Sequence, residues 1–401
     1  MCARVVLVLV IVAPGQGAQS PGFLSPWLEL PGFADRLRWL SAVADLDLVH
    51  YGTEADADTI RDTAIAQPLI VASGLVSLLS LFPHPADAFG KVAVGAGHSV
   101  GEITAAAAAG VMSAEQAMVF VRERGKAMAA AAAVTETGMT AVLGGDQDAV
   151  VSAIEKHNLT PANINGAGQV VAAGTMDDLA RFQDDPPEGA RLRPLPVAGA
   201  FHTKHMAPAV STLAGYAKAI YTHDARTQLL SNADGMVIQS GREYLTRVVQ
   251  QVSNPVRWDL CMQTMVELGV TALIEVPPAG TLAGLAKRAL PDVEVVALKT
   301  PDDLDAAREL VARHGVASHL DSSPTWRMLV APSKGMFHRI DAGVGDDLAP
   351  GAPIGHVKTN RDEQEIVAPH GGVIVEWLVE DGDPVSPGQP VVRLHPHGSG
   401  S

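Results

Sequence analysis

The stretch KVAVGAGHSVGEITAAAAAG, residues 91 to 110, constrains the fold more than any other part of the chain. Small and branched apolar residues running to Gly97 read as a buried strand, and the alanine-rich run closed by Gly110 reads as a helix. Between the two there is room only for a sharp turn with Ser99 at its apex. Gly97 and Gly101 bracket that serine, as close packing of strand against helix requires, and the helix start with the Val100 amide can stabilise an oxyanion. This predicts an α/β fold with a parallel sheet and a hydrolase-like core. A serine in such a place is also an ordinary helix N-cap, so the rest of the chain must decide.

Val5 to Val12 is a solid apolar run stopped by Pro14-Gly15, which predicts a strand buried on both faces. The run is too short to span a bilayer, and no later segment is expected to reach that length. With 29 basic against 44 acidic residues, the net charge of -15 repels a phosphate backbone and speaks against nucleic acid as a partner. Cys2 and Cys261 are too few and too far apart for a disulfide framework or a metal site, so a cytoplasmic location is expected.

From about 135 to 198 the pattern reads strand, helix, strand, strand, helix, strand, the order of a ferredoxin-like unit inserted in the larger domain. Directly after it, AGAFHTKHM offers His202 and His205 at a strand end as bases for Ser99. The residues alone leave the two open, and His98 is expected to point away along the turn. The tail repeats itself: the segments beginning at Val330 and Val367 align without a gap at an offset of 37, with Gly335 on Gly372, Gly345-Asp346 on Gly382-Asp383 and Pro350-Gly351 on Pro387-Gly388. Two similar β-halves around one core are the expected result.

Six separated motifs, PGQGAQ at 14 to 19, GHSVGE at 97 to 102, RERGKAM at 122 to 128, NINGAGQVVAAG at 163 to 174, GAFHT at 199 to 203 and QVSNPVRW at 251 to 258, stand in one order. In these the chain resembles the malonyl-CoA:acyl-carrier-protein transacylases of bacterial fatty acid synthesis over about residues 1 to 313. The resemblance implies Ser99 as acyl-accepting nucleophile, His202 as base and the Gln251 main-chain carbonyl as its orienting group. It implies the amides of Gln16 and Val100 as oxyanion donors, Arg124 as the clamp on the substrate carboxylate and Phe201 as a residue favouring malonyl. Malonyl-CoA and acyl carrier protein are then the partners, the coenzyme A thioester is a substrate, and no cofactor is bound. Lys126, Lys204, Lys287 and Arg288 are candidates for a local basic patch facing an acidic carrier. A serine thioesterase or esterase of the α/β-hydrolase type is the rival; it needs an Asp or Glu between Ser99 and the His and has no use for Arg124. A pure binding module would leave Ser99 a helix cap.

The repeated tail, expected as a separate domain over 326 to 396 after a linker at 314 to 325, resembles the biotinyl and lipoyl attachment domains, flattened hammerhead barrels with a modifiable lysine at the hairpin. Counting back from Ala368-Pro369, the lysine position holds Arg361. A guanidinium cannot form the amide that holds biotin, so biotin is not expected, and Lys358 is expected on the strand rather than the tip. The implied role is an unmodified structural or docking module, with a carboxylase or synthase component as partner. Residues 397 to 401 are expected to be a disordered end.

Overall fold

Alternate residues of β1 (Leu9–Ala13) enter two different cores: Leu9, Ile11 and Ala13 pack on one face of the sheet, Val10 and Val12 on the other. This double burial is why the run carries no polar residue. The computed structural model describes residues 7–197, 199–315, 327–359, 362–369 and 371–395. Within them the strand begins at Leu9, later than the apolar run suggests, because only Leu9 to Val12 find ladder partners in the strand Ala272–Glu275.

The chain divides into two compact units, Met1–Ser318 and His319–Ser401. In the first, β1 is flanked by β2 (Val94–Gly97), and both lie in a six-stranded sheet. An inserted region follows with β3 (Thr137–Gly144), β4 (Thr160–Gly166), β5 (Gln169–Thr175) and β6 (Ala190–Pro194), with helices Gln147–Lys156 and Met176–Asp184 between them. The main sheet resumes with β7 (Gln228–Leu230) and β8 (Val237–Ile238), and after β9 (Val256–Arg257) closes with β10 (Ala272–Glu275) and β11 (Glu294–Ala297). Its order is β11-β10-β1-β2-β7-β8, parallel throughout except for the last pair.

The inserted strands form a separate sheet ordered β6-β3-β5-β4-β9. The first four are antiparallel neighbours, whereas β9 comes from outside the insertion and joins β4 in parallel. A two-residue strand carries too little periodicity to be seen in the sequence. One face of this sheet meets its own helices through Val142, Ile154, Val170 and Phe182. Ala162, Val171 and Ala173 of the other face join the main core.

Two further expectations need correction. Helix Thr63–Leu81 is long and apolar enough to cross a membrane by length and composition, yet 72% of its most apolar window is buried inside the domain. Its apolarity is that of a core helix. The last helix, Leu304–His314, carries His314 to 6% exposure, where Nδ1 lies 2.9 Å from Thr271 Oγ1. His314 thus belongs to the first unit and not to a linker; residues 316–326 lie outside the described residues.

In the second unit the repeat becomes a symmetry of sheets. Strands β12 (Arg327–Val330), β13 (Gly335–Arg339), β14 (Asp347–Leu348) and β15 (Ala352–Lys358) make one half. Strands β16 (Glu363–Ala368), β17 (Gly372–Trp377), β18 (Pro384–Val385) and β19 (Pro390–His395) make the other. The two sheets are ordered β12-β19-β17-β14 and β16-β15-β13-β18, so exchanging each strand for its repeat partner converts one sheet into the other. Phe337, Ile354, Val357, Ile374 and Val391 fill the core between them.

Two glycines test the packing at the main sheet. A Cβ at Gly97 would stand 2.0 Å from the Gly101 carbonyl carbon, whereas one at Gly215, within helix Ala207–Ala219, meets nothing within 4 Å. Gly97→Ala is therefore expected to lower stability by more than ~3 kcal/mol, and Gly215→Ala to raise it by about 0.5–1 kcal/mol. Urea unfolding of the two variants checks both signs.

Candidate active site

Ser99 leaves β2 with φ at +53°, a conformation that costs a non-glycine residue energy and persists only where the surroundings enforce it. The enforcement comes from both bracketing glycines. A Cβ at Gly101 would lie 2.2 Å from the Ala13 carbonyl oxygen, so the helix start rests directly on the end of β1. The Ser99 N–H donates to Asn232 Oδ1 at 2.8 Å, and Asn232 Nδ2 donates to the Gly97 carbonyl at 2.7 Å, clamping the turn from the side.

His202 follows the insertion in a second left-handed conformation, φ +61°, and its N–H donates to the Val252 carbonyl at 3.0 Å. The strained backbone swings its ring to the serine: Nε2 lies 2.7 Å from Ser99 Oγ and Nδ1 lies 2.8 Å from the Gln251 carbonyl oxygen. A carbonyl only accepts, so the proton sits on Nδ1 and the Nε2 lone pair faces the hydroxyl. Burial, and next the Arg124 charge, push His202 down to about 3, so the ring is neutral and able to accept a proton at any ordinary pH. His205 lies in the short helical turn Lys204–Met206, and His98 Nε2 turns away to Asn165 Oδ1 at 2.9 Å. Of the candidate bases, the fold brings His202 to Ser99.

Arg124, on helix Ala114–Ala132, is fully buried. Its guanidinium donates to Gln67 Oε1 at 2.6 Å and Gln251 Oε1 at 2.8 Å, and approaches Ser99 Oγ at 3.4 Å. Its Nε has no partner among the described residues. Burial lowers it to about 10, which leaves it a cation at neutral pH. Two amides hold a buried charge that no carboxylate neutralises at ion-pair distance among the described residues, an arrangement suited to an anionic ligand. Arg122, two residues earlier, pairs with Glu123 at 2.7 Å.

Gln16 reaches the site by close backbone approach. A Cβ at Gly15 would stand 2.9 Å from His98 Nδ1, so the PGQG turn lies against the residue before Ser99. The Gln16 side chain is tied back to the Arg61 carbonyl at 3.2 Å and Thr63 Oγ1 at 3.3 Å. Phe201 is buried beside His202. Lys126, Lys204, Lys287 and Arg288 are exposed.

Sequence reasoning missed several polar residues that support these groups. Glu102, within the quoted GHSVGE, accepts from the Asn232 N–H at 2.7 Å and from Gln251 Nε2 at 2.5 Å. Gln67 is the one amide side chain in the mostly apolar helix Thr63–Leu81, and Asn232 follows the apolar end of β7. An amide or carboxyl in an apolar run was the available signal, since a buried polar group needs a partner.

Comparison with known proteins places the chain. A family described as "Acyl transferase domain" matches residues 10–316, and one described as "Biotin-requiring enzyme" matches residues 328–394. The malonyl CoA-acyl carrier protein transacylase of Mycobacterium tuberculosis is 50% identical over 302 residues, covering 75% of this chain and 100% of the relative. That of Escherichia coli K12 is 32% identical over 307 residues, covering 75% of this chain and 98% of the relative. The crystal structure of the M. tuberculosis enzyme superimposes with a TM-score of 0.72 at 50% identity, over 76% of this chain and 99% of that one. A malonyl-transacylase solved in complex with a type II polyketide acyl-carrier protein matches with a TM-score of 0.69 at 29% identity, over 75% of this chain and 99% of that one. The chain therefore belongs to the malonyl-CoA:acyl-carrier-protein transacylase family of acyl transferases.

Proposed function

We propose that the protein transfers the malonyl group from malonyl-CoA to the phosphopantetheine thiol of acyl carrier protein through an ester on Ser99, supplying fatty acid or polyketide synthesis. The observation that carries this is the buried, uncompensated Arg124 guanidinium 3.4 Å from the oxygen of a serine already paired with a neutral histidine. A thioesterase has no need of that charge, and the third member of this site is a carbonyl rather than the carboxylate expected of an α/β-hydrolase. A cytoplasmic location goes with this reading. So does a finer architecture, a hydrolase-like core with a ferredoxin-like insertion and a hammerhead tail, which the strand orders support.

In the first half-reaction His202 Nε2 takes the Ser99 proton as Oγ attacks the thioester carbonyl carbon. The amides of Gln16 and Val100, neither facing an acceptor among the described residues, hold the resulting oxyanion. Collapse breaks the C–S bond, and coenzyme A leaves with the proton from His202. The carrier thiol then gives its proton to His202 and attacks the ester, and Ser99 Oγ leaves and recovers that proton. Arg124 holds the malonyl carboxylate throughout and adds a second effect. Its charge suppresses His202 basicity, so a bound carboxylate that offsets the charge strengthens the base, and an acetyl group does not. The residues named supply every step, without a bound cofactor.

In the tail, Lys358 is exposed on β15 and sits in the ladder opposite Glu363. Thr359 and Asp362 close the hairpin through a 2.8 Å bond between the Thr359 N–H and the Asp362 carbonyl. Arg361, at the lysine position by sequence, lies outside the described residues. We read this unit as unmodified and as a docking module for a carboxylase or synthase component.

Four outcomes are expected. Intact-protein mass after mixing with malonyl-CoA shows a single malonyl adduct that Ser99→Ala abolishes, and Arg124→Ala lowers kcat/KM for malonyl-CoA by ~100-fold or more. Because the active base is the neutral form and its folded-state value lies far below an ordinary histidine, kcat/KM should change less than about twofold as pH falls from 7.5 to 5.5. An unshifted His would lose roughly tenfold over that range. Protein from biotin-supplemented cells should carry no mass beyond that of the chain.

A further inference from the structure

Glu102 is a buried titratable group that this mechanism leaves unused. It is 1% exposed on helix Gly101–Ala108, one turn behind Ser99. Its two oxygens accept from the Asn232 N–H and from Gln251 Nε2. Each of those partners reaches the reacting groups. Asn232 Oδ1 receives the Ser99 N–H, while the Gln251 main-chain carbonyl orients His202 and its Oε1 receives Arg124 Nη2. Gln251 Nε2 also donates to the Ser99 carbonyl at 3.0 Å. One carboxyl therefore stands a single side-chain amide away from the cation that grips the substrate.

We propose that Glu102 is a positioning residue whose neutral form leaves the Arg124 charge to the substrate carboxylate, and whose ionised form competes for that charge across the Gln251 amide. This rests on the transacylase reading above.

The titratable groups that face Glu102 are Arg124 from helix Ala114–Ala132, Tyr244 from helix Gly241–Gln251 and Cys261 from helix Trp258–Glu267. Burial is the largest influence on the carboxyl and, against the lowering effect of its hydrogen bonds and Arg124, pushes it up to about 8. Burial and the neighbouring carboxyl hold both the Tyr244 hydroxyl and the Cys261 thiol above their ordinary values, so Glu102 ionises before either. The neutral acid has a place for its proton: it can donate to the Tyr244 oxygen, whose own O–H donates to the Leu230 carbonyl at 3.2 Å. Every polar atom in that chain is then satisfied.

The test is the malonyl-CoA concentration that half-saturates Ser99 acylation, followed from pH 7 to 9, beside labelling of Ser99 by the uncharged phenylmethylsulfonyl fluoride. In the wild type the half-saturating concentration should rise about fivefold or more while its labelling rate shows no matching fall, and in Glu102→Gln the rise should vanish. Tyr244→Phe takes the hydroxyl from both forms but costs the ionised carboxylate more, because its O–H can turn to donate to the charged oxygen and a charge-assisted bond is the stronger, so the rise should move to higher pH; this variant serves if Glu102→Gln does not fold. A flat wild-type profile, a rise that persists in Glu102→Gln, or an unmoved rise in Tyr244→Phe overturns the proposal. A wild type that forms no malonyl adduct at any pH overturns the transacylase reading instead.

Discussion

The site is assembled around Gln251. Its main-chain carbonyl fixes the His202 tautomer, its side-chain oxygen holds Arg124, and its side-chain N–H group binds Glu102 and the Ser99 carbonyl. Among the described residues, no other hydrogen-bonds to Ser99, His202 and Arg124 at once. A buried amide that donates and accepts in fixed directions keeps all three in register, and a carboxylate in place of that side-chain amide would neutralise Arg124. A neutral side chain at 251 thus leaves the buried Arg124 charge uncompensated.

The scaffold serves that arrangement through close approach. The end of β1, the turn at Ser99 and the following helix touch backbone to backbone, which only glycine at 97 and 101 permits. Two of the residues at positive φ, Ser99 and His202, meet side chain to side chain beside this contact. The inserted sheet, tied by β9 to the segment just after Gln251, brings the His202 loop across to the nucleophile.

How far the sequence reveals this varies with the range of the interaction. The strand, turn and helix at Ser99 are legible because the signal is local and strong. The tail repeat is legible because turn residues recur at fixed spacing, and each pair of repeats becomes a matched pair of strands. His202 and His205 are not separable from the residues alone, since a positive φ at His202 decides which ring reaches the serine. Glu102 and Asn232, like Gln67 and Arg124, lie far apart in the chain and meet only in the folded core. The long apolar helix at 63 to 81 shows the same limit, because buried core and membrane span share one composition.

The most direct measurement is a chase. Protein acylated with malonyl-CoA is freed of coenzyme A and mixed with phosphopantetheinylated acyl carrier protein, and both partners are weighed intact over time. Transfer of the malonyl mass from enzyme to carrier, faster than its loss to water, is the predicted result. Discharge to water at the same rate with or without the carrier would contradict the account and make the protein a hydrolase.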